Sequence, residues 1–239
     1  MENAPLYPAF GSGQTLALLR DHPAQGFFMA GSLAASTLLG VRDAGMLSCS
    51  EYAAHLRRMR LLTDKPLIAD LQSGFGNPMN TYYATQELER SGANRLILSD
   101  QRYPAHTQDC PPIATDVDFL GKLHAALDAV DDENTQIWAL LEGMPTQGLE
   151  ATMAKLAWVD QLPIGAIVIA HWDRDILMAL TAMPHQHRLI ATWQPNVPAF
   201  PGIDGWLDTG YLADTAGNWQ RQLITNLPAA LTLPKEVLK

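Results

Sequence analysis

Cysteine is nearly absent from this chain of 239 residues, with Cys49 and Cys110 the only two. Two thiols cannot build a disulfide framework, and no Cys/His spacing of the zinc-binding type is present. Basic residues are also scarce: 16 Lys and Arg stand against 25 Asp and Glu, for a net charge of −9. That balance excludes a bulk basic surface for nucleic acid. No apolar run approaches the roughly 20 residues of a membrane span. Met1–Phe10 has no basic start followed by a long apolar stretch, so no signal peptide is expected and a cytoplasmic location is the default. Charged residues make up only 17% and hydrophobic ones 47%, which excludes disorder and permits a large buried core.

What is present is a rhythm. Eight short apolar runs recur: Leu6–Phe10, Gly26–Gly31, Pro66–Leu71, Arg95–Ser99, Gln136–Leu141, Gly165–Ala170, Arg188–Thr192 and Gly205–Asp208. Most lack strict alternation, as expected of strands buried on both faces of a parallel sheet. Helical patterns fall between them. Ser48–Glu51 reads as a capping box ahead of Tyr52–Leu62. Thr81–Arg90 is followed by the stop residue Gly92, and Asp116–Val130, Leu149–Val159, Asp173–Met183 and Thr215–Thr225 follow. About eight strand–helix units imply an α/β fold, a (β/α)₈ barrel formed by residues 1–239 as a single domain; an open doubly wound sheet is the alternative.

A barrel builds its active site at the C-terminal strand ends. Asp43 follows the second run, Asp70 ends the third, Asp100 follows the fourth, and Glu142, His171 and Asp208 close the fifth, sixth and eighth. A carboxylate after buried Leu67-Ile68-Ala69 loses solvation and needs a cation, a donor or a proton, although Asp70 could equally belong to a turn that leads into the Asn77–Pro78 helix start. Several such acids around one mouth could hold Mg²⁺, or each could simply cap the next segment. Around His171, Asp173 reads better as a helix cap than as half of a catalytic pair. Asp109 beside Cys110 argues against a reactive thiol there.

Residues 26–109 resemble the isocitrate lyase/phosphoenolpyruvate mutase superfamily. The resemblance rests on an ordered set: Ala-Gly-Ser-Leu-Ala-Ala-Ser36, Leu-Gly-Val-Arg-Asp43, Pro-Leu-Ile-Ala-Asp70, Ser-Gly-Phe-Gly-Asn77, Glu-Leu-Glu-Arg-Ser-Gly-Ala93 and Ser-Asp-Gln101. It implies a (β/α)₈ barrel and Mg²⁺-dependent cleavage or formation of C–C or P–C bonds beside an enolate. Gly31, Ser32 and Leu33 would form the oxyanion-binding turn, Glu142 would meet substrate, and Asp70, Asp43, Gln72 and Asp100 would surround the metal. Asp43 and His106 would carry the acid–base work. The family is commonly oligomeric, so a homo-oligomer is expected as well as a small-molecule ligand.

The chain also departs from the family pattern. Gln72 and Ser99 replace two metal-shell acids, Ala105 stands where a loop lysine is usual, and Thr107 stands at about the place of the lyase cysteine. Leu140 replaces an arginine that grips the substrate's acid group, and leucine makes no such bidentate contact. Two functions follow as expectations: a divergent Mg²⁺-dependent lyase or hydrolase of a small 2-oxo acid or related carbonyl compound, or a catalytically impaired relative that binds a small molecule or a protein.

Overall fold

The computed structural model describes residues 4–107, 112–196 and 201–226. Its strands are β1 Leu6–Tyr7, β2 Ala9–Phe10, β3 Phe27–Met29, β4 Leu67–Asp70, β5 Arg95–Ser99, β6 Gln136–Leu141, β7 Ala166–Ile169, β8 Arg188–Thr192 and β9 Gly205–Leu207. The helices are α1 Gly13–Leu19, α2 Gly31–Leu39, α3 Cys49–Arg60, α4 Pro78–Arg90, α5 Asp116–Ala129, α6 Met144–Val159, α7 Arg174–Thr181 and α8 Tyr211–Thr225, with a 3₁₀ turn at Ala44–Met46.

All strand pairs are parallel, in the order β1-β9-β8-β7-β6-β5-β4-β3-β2. β1 and β2 are two halves of one stave broken at Pro8, which has no N–H to give to a ladder. One half pairs with β9 and the other with β3, so the sheet closes on itself as a (β/α)₈ barrel. This closure removes the open-sheet alternative.

Side chains alternate between two cores, as the two-residue period of a strand requires. Tyr7, Ala9, Phe28, Ile68, Ile97, Trp138, Val168, Ile190 and Leu207 fill the barrel interior. Phe27, Met29, Leu67, Ala69, Leu96, Leu98, Ile137, Ala139, Ile167 and Leu189 face the helices. The interior is stoppered at the N-terminal strand ends. There the Arg95 guanidinium lies 5.5 Å from the Tyr7 ring and 5.2 Å from the Trp138 ring, with the two rings edge to face at 5.4 Å.

The helix starts follow the sequence chemistry. Ser48 and Glu51 form the capping box of α3, Asn77 caps α4 with Pro78 at its first turn, and Asp173 caps α7. No helix among the described residues is long and apolar enough to cross a membrane.

Candidate active site

A cavity of about 300 Å³ opens at the C-terminal strand ends. Asp70 reaches it from the end of β4. The Tyr52 hydroxyl on α3 accepts from Asp70 N at 2.8 Å and donates to Met29 O, clamping β3 to β4 beneath the site. Asp70 Oδ2 accepts from Gly31 N at 2.9 Å, and Oδ1 accepts from Gln72 N at 2.7 Å. A side chain at position 31 would put a Cβ 2.9 Å from Asp70 Oδ2, so glycine permits this approach of α2.

His106 lies between two carboxylates. Its Nδ1 is 3.0 Å from Asp70 Oδ2 and its Nε2 is 3.0 Å from Glu142 Oε2. With a carboxylate oxygen at each nitrogen, the arrangement favours the doubly protonated ring, which can donate from both. Its backbone adopts a φ of 55°, the left-handed region that is costly for a non-glycine residue. Gln101 Oε1 accepts from His106 N at 2.9 Å, and His106 O accepts from Ala44 N at 3.1 Å, which holds the loop there. Ser99 Oγ donates to Glu142 Oε2 and accepts from Gln101 N at 3.0 Å.

The electrostatics follow. Burial alone would lower the His106 pKa, but the charges of Asp70 and Glu142 and their hydrogen bonds outweigh it and hold the ring well above the usual histidine range. Burial alone would raise Asp70, but His106 and the amides of Gly31 and Gln72 win and lower it.

Of the residues that the sequence singled out, Ser32, Asp70, His106 and Glu142 line the cavity. Gly31 stands behind it, its N–H spent on Asp70. Leu33 packs into the barrel interior, and its N–H returns to Ala30 O. Asp43 is half-buried outside the cavity lining and accepts from Gly45 N at 3.0 Å. Gln72 is buried away from the lining; its Nε2 donates to Ala44 O at 2.9 Å, and its Oε1 has no partner among the described residues. Asp100, expected beside the metal, has the outward parity of β5. Its Oδ2 is 2.7 Å from Lys155 Nζ on α6, and its Oδ1 accepts from Glu142 N at 2.8 Å. Outside the site, His171 Nδ1 accepts from Asp173 N, Asp208 accepts from Ala9, Gly210 and Tyr211 amides, and Cys110 lies outside the described residues.

Sequence reading missed Tyr52, which supports Asp70 from a helix with no visible chemical motif. It also missed Thr192 and Thr209 on the cavity wall. Parity could have found the threonines, since both lie an even number of residues from the inward Ile190 and Leu207.

The Mg²⁺ expected from the resemblance can be tested on the donor set. Among the described residues no group of three or more His, Cys, Asp or Glu is arranged to hold a metal. Asp70 has both oxygens engaged by N–H donors, Glu142 is engaged by Ser99 and His106, and Asp43 and Asp100 are committed elsewhere. An imidazolium already occupies the space between the two cavity carboxylates. With His106 seated there, these residues do not fit a divalent cation.

The comparisons agree with the barrel. The sequence model of the phosphoenolpyruvate phosphomutase family matches residues 12–153, more than half of the chain. An oxaloacetate decarboxylase of Rhodopseudomonas palustris (strain HaA2) is 35% identical over 154 residues, 64% of this chain and 53% of the relative. Oxaloacetate decarboxylase 2 of Pseudomonas putida (strain W619) is 30% identical over 153 residues, 63% of this chain and 50% of the relative. The match thus spans about half the length of these relatives. Among solved structures, phosphonopyruvate hydrolase in complex with oxalate and Mg²⁺ superposes with a TM-score of 0.80 at 21% identity, over 99% of this chain and 89% of that one. A 2,3-dimethylmalate lyase superposes with a TM-score of 0.81 at 15% identity, over 98% and 87%. At these identities the two structures speak to the fold.

Proposed function

The chain belongs to the phosphoenolpyruvate phosphomutase family, and from that premise we propose that it is a lyase or hydrolase of a small 2-oxo acid, with His106 as its acid–base group. The observation that carries this reading is the imidazole between Asp70 and Glu142, 3.0 Å from each, at the wall of a barrel-mouth cavity. The names of the relatives, oxaloacetate decarboxylase among them, support the substrate class.

The chemistry that such a site can perform is short. When C3 of a 2-oxo acid carries a carboxylate, breaking the bond between them releases CO₂ and sends that bond's electron pair through C2 to the oxo oxygen, leaving an enolate; a phosphonate at C3 would pass to water instead, with the same electron flow. The Ser32 hydroxyl and the positive ring of His106 face the cavity where that charge develops. The enolate carbon then takes the proton from His106 Nε2. Glu142, hydrogen-bonded to that nitrogen and 17% exposed, returns a proton from solvent. Asp70 keeps the ring oriented from the other side and offsets its charge. The hydrolase neighbour was captured with Mg²⁺; in this chain no step is routed through a metal, because the donor set does not fit one.

The test is a panel of 2-oxo acids followed by NMR, with and without Mg²⁺, on the parent chain and on H106Q and D70N. We expect turnover by the parent and its loss by about 10²- to 10⁴-fold in H106Q, the usual contribution of a general acid. Saturable binding with no turnover of any panel member overturns catalysis in favour of a binding relative. Unchanged turnover in H106Q removes the role given to that ring.

A further inference from the structure

The proposed chemistry gathers negative charge on one oxygen, so the donors that meet that oxygen govern the rate. The turn at the start of α2 has few to offer, because the Gly31 N–H is spent on Asp70 and the Leu33 N–H on Ala30 O. The cavity wall holds another. Gln101 follows β5 with the inward parity of Ile97, lines the cavity and is 5% exposed. Its backbone is held twice: Gln101 N donates to Ser99 Oγ at 3.0 Å, and the residue bridges to Ile113. Its side-chain carbonyl Oε1 accepts from His106 N at 2.9 Å, and that bond orients the planar amide. Nε2 donates to no group among the described residues. An amide donor left unpaired in so buried a place calls for a partner, and the cavity is where one can arrive. The wall hydroxyls of Ser32, Thr192 and Thr209 each turn about a single bond, whereas the Gln101 amide is aimed beforehand, and preorganisation is what gives an oxyanion donor its strength.

Resting on the lyase or hydrolase reading, we propose that Gln101 is a further catalytic residue, whose Nε2–H donates to the oxo oxygen of the substrate as that oxygen becomes the enolate oxygen. The bond to C3 breaks, its electron pair reaches the oxo oxygen through C2, and the hydrogen bond from Nε2 tightens without giving up its proton. When His106 Nε2 protonates C3, the pair returns and the C=O bond re-forms. The same amide that receives the oxyanion also holds the left-handed turn of His106 through its carbonyl. A negative oxygen on Nε2 polarises the amide and strengthens the bond that Oε1 accepts, so a seated substrate steadies its own proton donor.

The experiment combines NMR of the Gln101 side-chain NH₂ in the full parent chain with kinetics of Q101M, which keeps the length of the side chain and removes the amide. The probes are oxalate, a planar dianion with the shape and charge of a 2-oxo acid enolate, and pyruvate, its keto counterpart; oxaloacetate is the substrate. Oxalate should move one Gln101 Nε2–H signal downfield and slow its exchange with solvent, and pyruvate should do so less. Q101M should weaken oxalate by at least about tenfold, the effect of losing one hydrogen bond to a charged group. It should lower kcat by about 10²- to 10³-fold, the usual cost of one oxyanion donor, with KM little changed because the bond is made in the transition state. A Gln101 signal that oxalate leaves in place, or a parent kcat retained in Q101M, overturns the proposal, and turnover of oxaloacetate by the parent then leaves the lyase or hydrolase reading standing. A kcat loss in Q101M that comes with a displaced His106 ring titration, while oxalate leaves the Gln101 signal of the parent in place, shows that Gln101 acts only through the His106 turn and also overturns it. A moved signal with no turnover of any 2-oxo acid overturns the catalytic reading and leaves the amide as an oxyanion ligand. The NMR arm needs no substitution, so it decides the matter even if Q101M fails to fold.

Discussion

The Tyr52 hydroxyl is the hinge pin of the site: it accepts the Asp70 N–H at 2.8 Å while donating to Met29 O, so that one fully buried phenol fixes two neighbouring staves. Tyr52→Phe keeps the volume and removes both bonds. Leaving a buried amide and a buried carbonyl unsatisfied costs about 1–3 kcal/mol in unfolding free energy. Chemical denaturation should show that loss, and the His106 ring NMR signals should broaden as Asp70 loosens. An unchanged denaturation midpoint would show that water fills the role.

The Asp100–Lys155 pair supports Glu142 from behind. Lys155 Nζ holds Asp100 Oδ2 at 2.7 Å, both side chains are almost wholly buried, and the other oxygen of Asp100 receives Glu142 N. Burial pushes the Asp100 pKa up against the lowering effect of Lys155. Lys155→Met should cost about 3–5 kcal/mol because it strands a buried charge. Adding Asp100→Asn should recover part of that loss, and a double-mutant cycle by denaturation measures the coupling.

The pH dependence of stability follows from His106 and Asp70. The His106 pKa is raised on folding: burial opposes the rise and the two carboxylates overcome it, so its contribution is complete below about pH 6.5 and fades as pH climbs through the raised value. Asp70 is lowered, so its contribution is present above the ordinary carboxylate range and fades as pH falls through the depressed value. Stability from this pair should therefore plateau through mildly acidic pH and decline on both sides. The alkaline decline should flatten in H106Q when unfolding free energy is followed against pH.

Metal binding gives a sharper contrast. Calorimetric titration of the parent chain with MgCl₂ should show no binding heat at the mouth. His106→Ala removes the cation between Asp70 and Glu142 and frees oxygens of both, so Mg²⁺ binding should emerge in that variant and vanish again in H106A/D70N. Tight Mg²⁺ binding by the parent would mean that the ring leaves its seat.

Much of the barrel was legible because buried parallel strands are written as short uninterrupted apolar runs. Arg95–Ser99, Gln136–Leu141 and Arg188–Thr192 were read to the residue. α1 and α2 were not read; both are short, and their stability comes from docking on the staves rather than from an internal pattern. The acids were harder to place. Asp70 and Asp100 look alike as strand-end residues, yet Asp70 shares the inward parity of Ile68, whereas Asp100 shares the outward parity of Leu96 and Leu98 and meets a helix lysine. His106 was found by its place in the loop, but its capture by two carboxylates depends on the left-handed turn held by Gln101 and Ala44, which no local residue pattern announces.

The stopper of Arg95 between Tyr7 and Trp138 also governs traffic. A tunnel would let a fragment escape at the far side; a cup does not. On the proposed chemistry, cleavage turns one guest into two, and both must depart through the door by which their parent arrived.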